Sequence, residues 1–222
     1  MNGIIFEVAT WLIPLVFAIV FHEIAHGWVA DAFGDPTARE QKRLSPNPIR
    51  HVDPIGTVAL PLVLAVSGAP VFGWAKPVPV IASRLRHPRL HMMLVALAGP
   101  GMNLLLALFA VFALAAALAG GPPQGVGGAF LVANLYNFLA INIFLAIFNL
   151  LPIPPFDGGH VVEGLLPRPL AEKWRQLGRF GFPLLIVLLL VLPMVSSVDI
   201  VERLVVPPMQ AALNFYLGLA GL

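Results

Sequence analysis

The sequence predicts an all-α polytopic membrane protein. It should have about four to six membrane segments, with a re-entrant hairpin or short extended segment after the first helix. Two observations carry this. Hydrophobic residues make up 59% of the 222-residue chain and charged residues only 11%, against about 25% charged in an ordinary soluble domain. Four apolar stretches, residues 8–21, 92–119, 129–156 and 180–198, each approach or exceed the ~20 residues that a helix needs to cross a bilayer. We read residues 1–222 as one domain, with a core over 4–165 followed by segments at 180–198 and 203–222.

The first stretch runs without interruption into "VFAIVFHEIAHGWVADAF" (16–33), so one helix carries His22, Glu23 and His26 at its far end. "ADA" (30–32) looks like a signal-peptidase site, but the N-terminal "MNGIIFE" has no basic residue and the apolar run passes into histidines. Both features argue against a cleaved leader. Residues 56–66 are apolar but too short to cross alone, and "SGAPVFGWAKPVPV" (67–80) is rich in Gly and Pro. We expect 56–80 to dip into the membrane and return extended, as backbone survives at that depth only when buried in protein or facing a wet cavity. The second and third stretches contain no charged residue. The tail "VVPPMQAALNFYLGLAGL" (205–222) suits either a surface amphipathic helix or a re-entrant one.

Eleven of the thirteen Lys and Arg residues fall at 39–50, 84–89 and 168–179, between the apolar stretches. The positive-inside rule places those segments in the cytoplasm and the N-terminus outside, in a multi-pass plasma or inner membrane protein. With a net charge of only +2, this basic bias reflects topology and not nucleic-acid binding. The partners expected are the lipid bilayer and a transmembrane protein substrate, with no nucleic acid.

Ionisable groups in a membrane segment are expensive, so a cluster of them calls for a function. His22-Glu23-Ile24-Ala25-His26 reads H-E-x-x-H. Positions i and i+4 lie about 40° apart around a helix, so both imidazoles leave one face and can share a metal. Glu23 then sits beside the metal's open position. That is the zinc-hydrolase arrangement, in which the metal acidifies a water and the carboxylate takes its proton. The chain has no cysteine, which leaves His, Asp and Glu as ligands.

A third protein ligand is expected. Asp31, Asp53, Asp157, His160 and Glu163 are candidates, with His51 a poorer one. Asp157 is best placed: it follows the third span at the end of "NLLPIPPFDGGH" (149–160), where the prolines must break the helix and Gly158-Gly159 permit a sharp turn. His22 lies about 27 Å along the first helix from Ile4, towards the face at which Asp157 arrives. Alternatively, "PPFDGG" is an ordinary turn.

H-E-x-x-H in an apolar first helix, N-x-x-P-x-x-x-x-D-G-G from Asn149 to Gly159, and "AGPGMN" (98–103) together resemble the site-2 protease family. "FGDPTARE", "NPIRHVDPIGT" and "FGWAKPVPV" resemble its compact bacterial branch. The likeness spans roughly 15–165. It implies an intramembrane zinc metalloprotease that cuts transmembrane segments of other proteins, with one zinc per chain held by His22, His26 and Asp157. It also implies Glu23 as the base and Asn149 as a polar residue contacting substrate or transition state. Relatives often carry a PDZ or CBS domain, for which this chain has no room.

Asn103 is a candidate for catalytic support or for a helix contact. His51 and Asp53 either approach the site or stabilise a turn. Asn134, Asn137 and Asn142 should line one seam of the third span as helix glue. "FGWAKPVPV" is either an edge for pairing with substrate backbone or a rigid wall. Two other functions remain open at this stage. A metal-ion transporter would need a second polar set towards the outer face, and a proteolytically inactive scaffold would have no need of the base.

Overall fold

The computed structural model describes residues 3–67, 74–196 and 200–222. Three helices in it are long and apolar enough to cross a membrane: α1 (Gly3–Ala32), α4 (Pro88–Leu118) and α5 (Gly125–Asn149). Proline and glycine set their limits. Pro88 occupies the first turn of α4, where its missing N–H costs nothing, and Gly120-Gly121 end that helix, Gly121 with φ at 92°. Pro122 and Pro123 separate α4 from α5, and α5 stops at Asn149, ahead of Pro152.

These three helices pack on one another through small residues. Ala18 and Ala25 of α1, Gly99, Ala107 and Ala110 of α4, and Ala140 and Ala146 of α5 are all buried. Small side chains let helix backbones approach closely where lipid removes the usual hydrophobic drive. Large apolar groups point the other way, with Trp11 56% and Phe109 65% exposed. The expected asparagine seam divides its work. Asn137 donates to Thr10 O of α1 (2.8 Å), Asn142 faces α4, and Asn134 bonds back within its own helix to Phe130 O.

After α1 the chain turns through α2 (Thr37–Glu40), a 3-10 turn (Pro48–His51) and a π turn (Pro54–Ala59) into α3 (Leu60–Ser67). Residues 74–81 return extended, leading to a 3-10 turn at Ala82–Arg84. The expected hairpin over 56–80 thus has one helical limb and one extended limb, and residues 68–73 between them lie outside the described residues. Beyond α5 come α6 (Asp157–Leu165) and α7 (Arg168–Leu177), with α6 packed on α4.

The fourth apolar stretch forms α8 (Gly181–Ile186), a π turn (Val187–Val191) and α9 (Leu192–Ser196); residues 197–199 lie outside the described residues. The tail forms α10 (Val206–Leu219). Its Met209, Ala212, Leu213 and Tyr216 pack on Ala107, Val111, Leu139 and Ile143 of α4 and α5, and Tyr216 donates to Leu104 O at 3.1 Å. α10 therefore lies along the spans.

Candidate metal centre

The helical spacing of H-E-x-x-H places His22 and His26 on the buried face of α1, with their Nε2 atoms 3.0 Å apart. Asp157 opens α6 and brings Oδ2 to 3.2 Å from His22 Nε2 and 3.5 Å from His26 Nε2. These are the residues among those described that could hold a metal ion together. The turn that delivers Asp157 depends on Gly158. A Cβ there would lie on the Leu150 and Leu151 carbonyls, 2.6 Å from Leu150 C, so only glycine lets α6 start against the end of α5.

The hydrogen bonds determine the imidazole tautomers. His26 Nδ1 lies 2.7 Å from Val95 O, and a carbonyl only accepts, so Nδ1 carries the proton. His22 Nδ1 lies 2.5 Å from Asn103 Oδ1. The orientation of the Asn103 amide follows from its other end, which donates to Asn142 Oδ1 (2.8 Å) and Ala18 O (3.2 Å). Asn142 is oriented in turn by donating to Phe138 O at 2.8 Å. Both Nε2 atoms therefore present lone pairs, and the third atom is a carboxylate oxygen. Asp157 Oδ2 is buried with no hydrogen-bond partner.

Three lone pairs converging on one buried point repel one another unless a cation lies between them. Tetrahedral zinc with N/O ligands at about 2.0–2.1 Å requires ligand atoms roughly 3.3–3.4 Å apart, close to the 3.0, 3.2 and 3.5 Å observed. The donor set is also the kind zinc takes, with each imidazole oriented by a hydrogen bond on its outer nitrogen. The residues fit the metal.

Glu23 follows His22 and turns to the extended segment, where its Oε2 accepts the Val78 N–H at 2.7 Å. The other expected candidates lie elsewhere. Asp31 pairs with Arg39 at 3.3 Å. Asp53 caps the π turn by accepting from Ile55 and Gly56 N–H. His160 pairs with Glu163 at 3.5 Å, because α6 aims it away from the centre. His51 is buried and bonds to Ser45 O through Nε2, while Asn149 returns its amide to Leu145 O on its own helix.

Several parts of the centre carry no sequence signal beyond "AGPGMN" and the asparagine seam of the third span. One is the Val95 carbonyl. Another is the Asn142–Asn103 pair, which ties α5 to the metal face of α1. A third is Gly99, where a Cβ would meet both imidazoles, at 2.5 Å from His26 Cε1 and 2.6 Å from His22 Cε1.

The sequence profile described as Peptidase family M50 matches residues 124–190, which include Asn149 and Asp157. YwhC of Bacillus subtilis, named provisionally as a zinc metalloprotease, is 39% identical over 178 residues, covering 80% of this chain and 78% of that protein. Rip2 of Mycolicibacterium smegmatis carries the same description and is 31% identical over 190 residues, covering 84% and 67%. Rip2 of Mycobacterium tuberculosis H37Rv is 30% identical over 184 residues, covering 82% and 66%. No solved structure matches.

Proposed function

The chain belongs to peptidase family M50, the site-2 proteases, and is an intramembrane zinc metalloprotease; from that premise we propose that His22, His26 and Asp157 hold one zinc per chain and that Glu23 is its proton carrier. The observation that carries this reading is the convergence of two Nε2 lone pairs and an unpartnered carboxylate oxygen at one buried point, beside a glutamate. When bound there, zinc supplies the Lewis acid that acidifies water and polarises the scissile carbonyl.

The residues around it divide the remaining work. Val78 N–H occupies Glu23 Oε2, so Oε1 is the atom that takes the proton as water adds to the peptide carbonyl. Glu23 then returns that proton to the departing amide nitrogen as the C–N bond breaks, leaving a carboxylate and an amine. Asn103 and Val95 O keep both imidazoles in the tautomer that faces inward. The substrate is a transmembrane segment of another protein, opened locally because helical hydrogen bonds shield its carbonyls. The centre faces the cytoplasm with the N-terminus outside, supported by the placement of eleven of thirteen basic residues.

The test is Glu23→Gln in the purified full chain. It should retain zinc by metal analysis and lose cleavage of a model transmembrane substrate. Full cleavage by Glu23→Gln would remove Glu23 from the reaction.

A further inference from the structure

The return limb, residues 74–81, is held at most of its polar backbone atoms. Trp74 N–H donates to Gly56 O (3.0 Å), Lys76 N–H to His51 O (2.8 Å) and Ile81 N–H to Asp35 Oδ2 (2.5 Å). The Arg43 guanidinium donates through Nη2 to Lys76 O (2.6 Å) and Pro77 O (3.3 Å), and through Nη1 to Arg50 O. Val78, next in the chain, gives its N–H to Glu23 Oε2. Pro77 and Pro79 bracket it, restricting the backbone on both sides and contributing no N–H.

The limb is seated on one face of α1. Glu23 and Gly27 are i and i+4, so they share that face. A Cβ on Gly27 would come within 3.0 Å of Val78 Cγ1. Val78 thus packs its side chain at Gly27 while its amide reaches Glu23, one turn back.

We propose that Arg43 is a positioning residue for Glu23: by clamping the Lys76 and Pro77 carbonyls it aims the Val78 N–H at Glu23 Oε2 and leaves Oε1 directed at the reaction. This rests on Glu23 as the proton carrier. Arg43 is 7% exposed, which is unusual for a cation, and it touches none of the residues proposed to hold zinc. Arginine suits the task because its planar fork reaches several carbonyls at once, which a lysine ammonium cannot do with the same geometry. Burial pulls the guanidinium below its ordinary range, and the Glu23 carboxylate offsets part of that. The clamp also decides what the limb offers a substrate. From Lys76 N to Val78 N, every backbone donor and both carbonyls are already engaged, so that stretch is wall and not free edge.

The experiment uses the full chain in detergent with Arg43→Gln and Arg43→Lys. Hydrogen exchange of the 74–81 peptide is measured in the Glu23→Gln background as well as in the otherwise unaltered chain. Zinc content should match the parent, kcat should fall about 10- to 100-fold with KM little changed, and the Val78 amide should exchange faster. Unchanged kcat and unchanged exchange in either variant would overturn the proposal, as would a fall in kcat that tracks lost zinc. If Arg43→Gln does not fold, Arg43→Lys decides by the same readings. Exchange at Val78 reports the clamp even if Glu23→Gln proves active, so the clamp and the assignment of the base fail separately.

Discussion

Gly99→Ala adds a single methyl group to α4 at the point where both imidazoles rest on it. The new Cβ would stand 2.5 Å from His26 Cε1 and 2.6 Å from His22 Cε1, whereas ordinary contact begins at 3.4 Å. The rings must therefore withdraw by roughly 0.8–0.9 Å, several times the ~0.2 Å tolerance of a metal site. Both rings are also tied to the helix they must leave, His22 through Asn103 and His26 through Val95 O. Withdrawal by that amount lengthens the 2.7 Å bond to Val95 to about 3.5 Å, beyond the ~3.2 Å limit of a good hydrogen bond. Each lost outer partner costs about 10–100-fold in metal affinity, so two should cost about 100–10,000-fold. Overpacking adds about 1–3 kcal/mol of destabilisation. The assay is zinc competition against a chromophoric chelator on purified protein, with the visible spectrum of the cobalt-substituted protein as a second reading of ligand geometry. Gly101→Ala is the control, because nothing lies within 4 Å of a Cβ there. A Gly99→Ala protein with the zinc affinity and cobalt spectrum of the parent would refute the placement of α4 against the two histidines.

Asn103→Leu should lower zinc affinity about 10–100-fold while leaving both histidines in place, with Asn142→Leu following in the same direction and to a smaller extent; the chelator titration measures both. Asp35 is wholly buried, and although burial alone would raise its carboxyl, the Thr37 hydroxyl and N–H, Ile81 N–H and Arg84 outweigh it and hold it below the usual range. A carboxyl lowered in the fold stabilises the protein above its unfolded pKa of about 3.9, and that contribution is lost as pH falls below it. Thermal unfolding between pH 7 and pH 3 should therefore show acid sensitivity that Asp35→Asn reduces, at the expense of stability at pH 7. Lys42→Cys, Arg86→Cys and Lys173→Cys should each be modified by an impermeant thiol reagent from the cytoplasmic side only, and modification from outside intact cells would reverse the proposed orientation.

What was legible in the sequence was whatever depends on local spacing. Long apolar runs fix the spans, because a helix must satisfy its own backbone in lipid. H-E-x-x-H fixes two histidines on one face, because i and i+4 coincide on any helix. Asp157 was legible because prolines and glycines mark the turn that carries it. The outer partners were not. Val95 contributes a carbonyl that every residue type possesses, and Gly99 matters for a missing atom whose neighbours lie more than seventy residues away in the chain. Asn103 read equally well as catalytic support or helix contact; one end of its amide lies against His22 and the other donates to Asn142 of α5. Arg43 looked like one more cytoplasmic charge until the return limb folded over it.

The donor set is divided along the chain: two imidazoles arrive with the first helix, and the carboxylate comes well over a hundred residues later. At synthesis rates of about 5–20 residues per second, the interval is on the order of ten seconds. During that time the nascent chain has the histidines and the proposed base in the membrane but only two of the three groups proposed to bind the metal. A ribosome that stalls in α4 or α5, or an insertion that fails before α6 docks, leaves an incomplete centre. Under the proposed assignment, hydrolytic capacity is thereby tied to completed assembly of the centre.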